Sequence, residues 1–414
     1  MGLGRIINSL FTYVSTRRLT VLALVILAWL LCSLHPSLDL YANQQALKEP
    51  REDEYKARFL YTSSFRRNPD LEYERRLANA LQELERAVLE RHKGNSVAED
   101  RIWQIAKDAS QRGPDSIYLQ ERNPGWAYTL VSDAEASKFV ADKFSAIPEI
   151  AQVYESYPYH VLRADLLRYL LLYYYGGFYA DMDIYPARPI NECPALQSIP
   201  KPTVDDPMHS GNVSLVVGVE LDEPYASPKT MRFWHWTRSY GLIQYTMYAP
   251  RRFSPLLREI IVRCLSHSRQ YNQQHGGILG RFSYNKNAIL GITGPDVLTD
   301  AILDALSSSL PASHPFVQKS VGVDQDIGDL ISSEGKIQRR VTWAPFHDLS
   351  EPICADATES IPGTPMGGLC VVPISVWGNG QRHSKAEGFN SPHACLNHRF
   401  GGSWKKGWRE RLFG

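Results

Sequence analysis

Residues 161–186, VLRADLLRYLLLYYYGGFYADMDIYP, constrain the fold more than any other stretch of the chain. Nothing between 161 and 175 breaks a helix, and Gly176 supplies the stop. Leu162, Leu166, Tyr169, Leu170 and Tyr173 fall on one apolar face, while Asp165 and Arg168, three apart, share another side. The short apolar strand Phe178, Tyr179 and Ala180 then leads directly into Asp181 and Asp183. In an extended chain those two aspartates share a side, with Met182 opposite. In open α/β sheets the carboxyl end of a strand is where ligands bind.

Two carboxylates on one side of a strand end can chelate a hard divalent cation, Mn2+ or Mg2+, which keeps open positions for phosphate oxygens. A cation held there can neutralise charge growing on a departing diphosphate. The Asp-x-Asp pattern alone is common on solvated loops; its place after two glycines and an apolar strand gives it weight. A glycoside hydrolase would instead need its two carboxyl groups roughly 5 to 9.5 Å apart on opposite sides of the sugar, which neighbours sharing one metal suit poorly.

The rest of the chain reads as α/β. Residues 101–105 (RIWQI) and 126–131 (WAYTLV) read as strands and 133–144 as a helix, and such alternation argues for a layered α/β domain. Upstream, Asn68-Pro69-Asp70 caps a helix whose Leu77, Leu81, Leu84 and Val88 form an apolar seam until Gly94. That seam fits either a dimerising stalk or packing on the main domain. Residues 272–288 read as an inserted loop, and 351–414, rich in Gly, Pro, Trp and His, as binding loops rather than core.

Residues 19–34 are uncharged and apolar and follow Arg5, Arg17 and Arg18. A retained membrane anchor is expected in preference to a cleaved signal peptide, because the leader is long and HPSLDLYANQ offers no clean cleavage signal. The positive-inside rule leaves the short tail cytosolic. The expected organisation is a tail at 1–18, an anchor at 19–35, a stem with an amphipathic helix at 36–96 and a luminal domain at 97–414. With Cys32 in the span, Cys193, Cys264, Cys354, Cys370 and Cys395 face an oxidising lumen, and their odd number leaves a thiol free or paired between chains. Asn212-Val213-Ser214 is a possible glycosylation sequon. The net charge of +1 on 414 residues gives no electrostatic footprint for nucleic acid.

LRADLLRYLLLYYYGGFYADMD resembles the sugar-nucleotide signature of glycosyltransferase family 32. Further pieces follow in order: RIWQ at 101–104, IQYTMYAPRRFSPLL at 243–257, ITGPDVLTDAI at 292–302 and HACLNHRFGGSWK at 393–405. Together, over roughly residues 97 to 406, they look like the fungal initiation-specific α-1,6-mannosyltransferases of that family. The resemblance implies a GT-A fold and a retaining transfer from a sugar nucleotide, GDP-mannose, usually with manganese, by a type II Golgi protein. The implied acceptor is a glycan of the high-mannose N-glycan type, and a homo-oligomer or mannosyltransferase complex is an open expectation. By position, Asp181 and Asp183 hold metal and diphosphate, and Asp165 and Arg168 grip the donor with Tyr179 beside them. The bland reading of Asp165 and Arg168 is an ion pair on an exposed helix face. Trp103, expected at the first strand's end, either stacks on the nucleobase or packs in the core. His398 is a candidate third metal ligand, with His383 and His393 as competitors, and lies with Ser403 and Trp404 in a closing segment; Trp404 is carried over as a donor contact. Two departures stand out. Ala106 replaces a second tryptophan expected after Trp103, and 266–290 is longer and more polar than the family pattern. Members acting on inositol phosphoceramide carry further membrane helices near the C-terminus; no apolar stretch after Leu34 is long enough to span, which favours a soluble glycan acceptor. A membrane-anchored glycan binder without activity is the rival of another class.

Overall fold

The computed structural model describes residues 63–199, 213–275, 284–323, 340–364 and 366–401, with the backbone of two short strands at Leu330–Ile331 and Ile337–Gln338. The expected anchor, the stem up to residue 62, Asn212, Ser403 and Trp404 lie outside the described residues. No helix among the described residues is long and apolar enough to cross a membrane.

An 8-stranded mixed sheet forms the centre. Its strands are β1 (Arg101–Ile105), β2 (Ala127–Val131), β3 (Gly177–Ala180), β5 (Leu215–Asp222), β6 (Tyr240–Leu242), β7 (Thr246–Ala249), β8 (Ile353–Ala355) and β9 (Leu369–Val372). A separate ladder pairs β4 (Ile184–Pro186) with β10 (Leu396–His398). The order is β8-β9-β5-β7-β3-β1-β2, with β6 paired to β5. β1 runs parallel to β2 and β3, and β5 parallel to β9. Both β3 and β5 are antiparallel to β7, so the carboxyl ends of β1, β3 and β5 share one edge.

Strand alternation divides the core. Trp103, Ile105, Tyr179, Val217, Met247 and Val371 face one apolar cluster, and Ile102, Phe178, Ala180, Val216, Tyr248 and Val372 face the other. The first cluster is filled by α1 (Leu71–Arg91), α3 (Asp133–Lys143), α4 (Pro148–Ser156), α5 (His160–Tyr175), α7 (Pro255–His275), α8 (Lys286–Ile292) and α9 (Pro295–Ser309). The second is covered by α2 (Pro114–Glu121) and the β4–β10 ladder.

The structure corrects several sequence readings. The seam of α1 is not a stalk: Leu77, Leu81 and Val88 are buried in the core, and Tyr173 on α5 donates its O–H to the Leu81 carbonyl at 3.1 Å. The helix assigned to the stem at 36–96 is therefore part of the main body. Helix α5 has no exposed polar face either, since Asp165 and Arg168 are as buried as its leucines. The tail from 351 is not all loop, because β9 lies fully buried in the central sheet. A four-residue strand between Gly368 and Pro373 is too short to stand out by periodicity. Within the loop expected at 272–288, α7 runs to His275 and a helix begins at Lys286, while 276–283 lie outside the described residues. Gly176 and Gly177 have φ of 68° and 94°, and a Cβ there would sit 2.4 Å from Ala98 Cβ and 2.7 Å from the Arg101 carbonyl. Only glycine makes that turn from helix to strand. Two disulfides form, Cys193–Cys395 and Cys354–Cys370, and Cys264 is the buried free thiol among the described residues.

His267 on α7 stacks on Phe65 with ring centroids 4.7 Å apart, and its Nδ1 lies 2.8 Å from the Gly291 carbonyl. Burial pushes the imidazole down to about 3 from an ordinary 6.5. Because the folded value is the lower one, the chain gains this proton on unfolding. The stabilisation is complete above the unfolded value and is lost as pH falls towards 3. His267→Asn, which keeps a donor for Gly291, should flatten the acid limb of unfolding free energy between pH 6 and 4 by up to about 1.4 kcal/mol per pH unit. Denaturant melts of both proteins across that range measure the slope; parallel limbs refute the assignment.

Candidate active site

The two aspartates sit at the shared carboxyl edge, but strand alternation does not place them. β3 ends at Ala180, and a turn carries the chain into β4, with Ile184 N–H donating to the Asp181 carbonyl at 3.1 Å. Asp181 N–H donates to the Tyr245 carbonyl at 2.9 Å, and Gln104 Nε2 donates to the Asp181 carbonyl at 2.8 Å. The aspartate backbone is thus held from β1 and from the residue preceding β7.

β10 returns from the far end of the chain, pairs with β4 and sets His398 opposite Ile184. His398 Nε2 lies 3.0 Å from Asp183 Oδ1, and Gly401 N–H donates to Asp183 Oδ2 at 3.0 Å. Arg399 binds the Asp115 carboxylate at 2.6 and 2.8 Å, fastening this segment to α2. Burial raises the affinity of Asp183 for a proton, but the His398 and Gly401 hydrogen bonds outweigh it and hold the carboxyl below its usual range. One oxygen from each of Asp181 and Asp183 and one nitrogen of His398 all lie within 4.8 Å of one another. Two carboxylates and an imidazole form a donor set that suits a divalent cation such as Mn2+.

Behind them lies a buried ion pair packed on Tyr179. Arg168 Nη2 is 2.9 Å from Asp165 Oδ1 and 3.4 Å from Asp181 Oδ1, and its guanidinium lies over the Tyr179 ring at 4.9 Å. Tyr179 donates its O–H to Asp181 Oδ1 at 2.6 Å. Thr293 donates to Asp165 Oδ2 at 3.0 Å. Asp165 and Arg168 are only 4% and 6% exposed, so the pair is not the surface ion pair of the bland reading. Burial, opposed by Arg168 and reinforced by the Asp181 charge, pushes the Asp165 carboxyl up to about 7. Burial also acts against the Arg168 cation, but Asp181, Tyr179 and Asp165 outweigh it and keep the guanidinium charged. Arg168 Nε is buried without a hydrogen-bond partner among the described residues.

Of the residues singled out from sequence, Asp165, Arg168, Tyr179, Asp181, Asp183 and His398 converge. Trp103 does not join them. It sits in the middle of β1, not at its end, is 6% exposed, stacks on Tyr175 at 5.3 Å and donates its Nε1–H to the Gly176 carbonyl at 2.9 Å. Its ring is engaged in the core, not aimed at the edge. Of the competing histidines, His393 pairs with Glu387 and His383 packs against tryptophans. Sequence reading missed Gln104 and Tyr245, although both lie in quoted blocks. Tyr245 stacks on His398 with centroids 4.1 Å apart and 29° between planes.

The family described as "Glycosyltransferase sugar-binding region containing DXD motif" matches residues 117–200, which contain the helix, turn and aspartates of this site. The chain is 26% identical over 315 residues to the initiation-specific alpha-1,6-mannosyltransferase of Candida albicans, covering 73% of this chain and 71% of that protein. It is 25% identical over 308 residues to the protein of the same name from Schizosaccharomyces pombe, covering 73% of this chain and 63% of that one. Inositol phosphoceramide mannosyltransferase 3 of Schizosaccharomyces pombe is 40% identical, but over 62 residues, 15% of this chain and 17% of that protein.

The Tyr245 stack orients the His398 ring, as outer partners of metal ligands do. Tyr245→Ala should weaken Mn2+ binding about 10- to 100-fold, and Tyr245→Phe, which keeps the ring, should bind as the parent does. Calorimetric titration of the full-length proteins with Mn2+ reads this, and equal affinities for all three would remove Tyr245 from the site.

Proposed function

Because this chain is a glycosyltransferase, we propose that it transfers mannose from GDP-mannose to a mannose of an N-glycan, with retention and in α-1,6 linkage, using a divalent metal on a GT-A domain. The observation that carries the reading is the convergence of Asp181, Asp183 and His398 beside Arg168 at the sheet's carboxyl edge. The alignment through most of the chain with proteins named initiation-specific alpha-1,6-mannosyltransferase supports the hexose and the linkage. The similarity to inositol phosphoceramide mannosyltransferase 3 is confined to a short segment and supports mannose as the transferred sugar, not a lipid acceptor.

Asp181, Asp183 and His398 would hold the cation, which when bound supplies Lewis-acid neutralisation of the donor diphosphate. The remaining work falls to the chain. Arg168, fixed by Asp165 and by the Tyr179 ring, supplies a permanent positive charge behind Asp181 that offsets the negative charge of the donor's phosphates. Tyr179 and Gln104 orient Asp181 through its carboxylate and its carbonyl. No protein nucleophile is assigned. In a front-face transfer the bond from the sugar's anomeric carbon to the phosphate oxygen breaks, the bond to the acceptor hydroxyl oxygen forms on the same face, and the hydroxyl proton passes to the departing diphosphate. Positioning and charge stabilisation are then the protein's contribution.

The place of action is part of the proposal: a Golgi membrane, with the segment at 19–34 as a type II anchor and the catalytic domain in the lumen. Two disulfides among the described residues fit such an oxidising compartment. Full-length protein should release GDP from GDP-mannose and extend a high-mannose acceptor in the presence of Mn2+, and EDTA should stop both. Asp181→Asn or Asp183→Asn should lower transfer by about three orders of magnitude or more, the scale of losing a principal charge stabiliser, with an unchanged circular dichroism spectrum. Full activity in either folded variant refutes the metal role.

A further inference from the structure

Beyond the carboxylate cluster, a group of aromatic side chains gathers at the carboxyl end of β5. The helix α6 (Pro228–Trp234) ends in His235, whose left-handed backbone (φ 55°) turns the chain so that Trp234 and Trp236 lie parallel. Their ring centroids are 5.7 Å apart and their planes differ by 9°. His383 stands edge-on to both, at 5.3 and 4.8 Å, and Phe233, 73% exposed, meets Trp234 edge-on at 5.3 Å. Neither indole belongs to either apolar core cluster. Large aromatic rings left outside the core are poorly explained by packing alone.

The base under them is firm. Lys286 Nζ donates to the His235 carbonyl at 3.0 Å, and the Thr237 hydroxyl and Arg238 Nε bind the Asp296 carboxylate, at the start of α9, at 3.0 and 3.1 Å. One segment, residues 377–384, joins this group to the candidate active site. Tyr245, stacked on His398, donates its O–H to the Trp377 carbonyl at 3.4 Å. Gln381 Nε2 donates to the Glu220 carbonyl of β5 at 3.2 Å, and the Asp222 N–H at the end of β5 donates to Ser384 Oγ at 2.9 Å. β5 stands two strand spacings, roughly 10 Å, from β3, on the same edge. Through His383 and Ser384 the indoles are thus tied to the carboxyl end of β5, away from the charged end of the edge.

The chemistry of the two ends differs. Carboxylates and a guanidinium suit a metal and a diphosphate. Flat ring faces carry negative quadrupole density, which attracts the C–H faces of a pyranose while its hydroxyls point to polar neighbours at the rim. We infer that Trp234 and Trp236 form an acceptor subsite that stacks a hexose of the acceptor oligosaccharide at a distance from the residue receiving the sugar. The inference rests on the glycan-acceptor reading above. A preformed platform on a rigid base costs little ordering on binding and lets an extended glycan be selected over a free monosaccharide.

The test uses the full-length protein and a purified high-mannose N-glycan as probe, with Trp234→Ala, Trp236→Ala, Phe233→Ala and Trp234→Phe. Without donor, the glycan should shift the intrinsic tryptophan fluorescence of the parent, and each indole-to-Ala variant should bind it about tenfold more weakly, the effect of losing one aromatic anchor. In turnover the glycan KM should rise by the same factor while the KM for GDP-mannose stays within about twofold. Trp234→Phe should recover part of the loss, and Phe233→Ala, at an exposed position that leaves the fold intact, should cost a smaller fraction. Glycan affinities equal to the parent's in the two indole variants overturn the subsite, as does a loss confined to binding phospholipid vesicles. A parent that binds the glycan through these indoles yet leaves GDP-mannose intact keeps the subsite and defeats the transfer reading.

Discussion

The arrangement depends on one buried charge imbalance. Asp165 and Asp181 share a single guanidinium, Arg168, at the end of a strand whose neighbours are apolar, and Asp183 follows two residues on. Buried charge is tolerated only where it is paired and hydrogen-bonded. Arg168 serves Asp165 and Asp181 together, Thr293 and Tyr179 each supply a hydroxyl, and Asp183 draws on His398 and the Gly401 amide. The balance stays short of positive charge: burial first, and the Asp181 charge with it, outweigh Arg168 and hold the Asp165 proton up to about 7. A divalent cation beside Asp181 and Asp183 answers the same deficit. Helix α5, the double glycine and β10 all serve to hold these carboxylates where such an ion can reach them.

Much of this was legible because the charged residues and the local fold are written in one continuous block. The helix, its stop at Gly176, the following strand and the aspartates occupy 161–183, and the structure reproduces each of those elements. Where the readings diverged, the cause was long-range. Nothing in local spacing reveals that Asp165 and Arg168 are covered by Thr293 and by the carbonyl of Gln244. The same applies to β9, a short strand made credible only by the parallel partner β5, and to α1, whose seam looks alike whether it meets a second chain or α7.

Trp103 and His398 make an instructive pair. Both are ring side chains that sequence reading left between a site and a bland role. Trp103 lies mid-strand, where the pleat turns its ring into the helical layer, so the core claims it. His398 ends a strand that exists only by pairing with β4, and that pairing turns its ring towards Asp183. Tyr245, the partner that seats the imidazole, carried no signal beyond membership of the block at 243–257. Side chains that orient other side chains have no spacing rule of their own.

The Cys193–Cys395 bridge spans 202 positions of sequence and anchors the chain just before the strand that bears His398. A polypeptide made where thiols stay reduced would still carry both aspartates and their arginine. The imidazole would then be held by non-covalent contacts only, among them a three-residue ladder, the Arg399–Asp115 pair and the Tyr245 stack. Closing that bridge thus joins two distant parts of the chain and fixes the strand that presents His398 to Asp183.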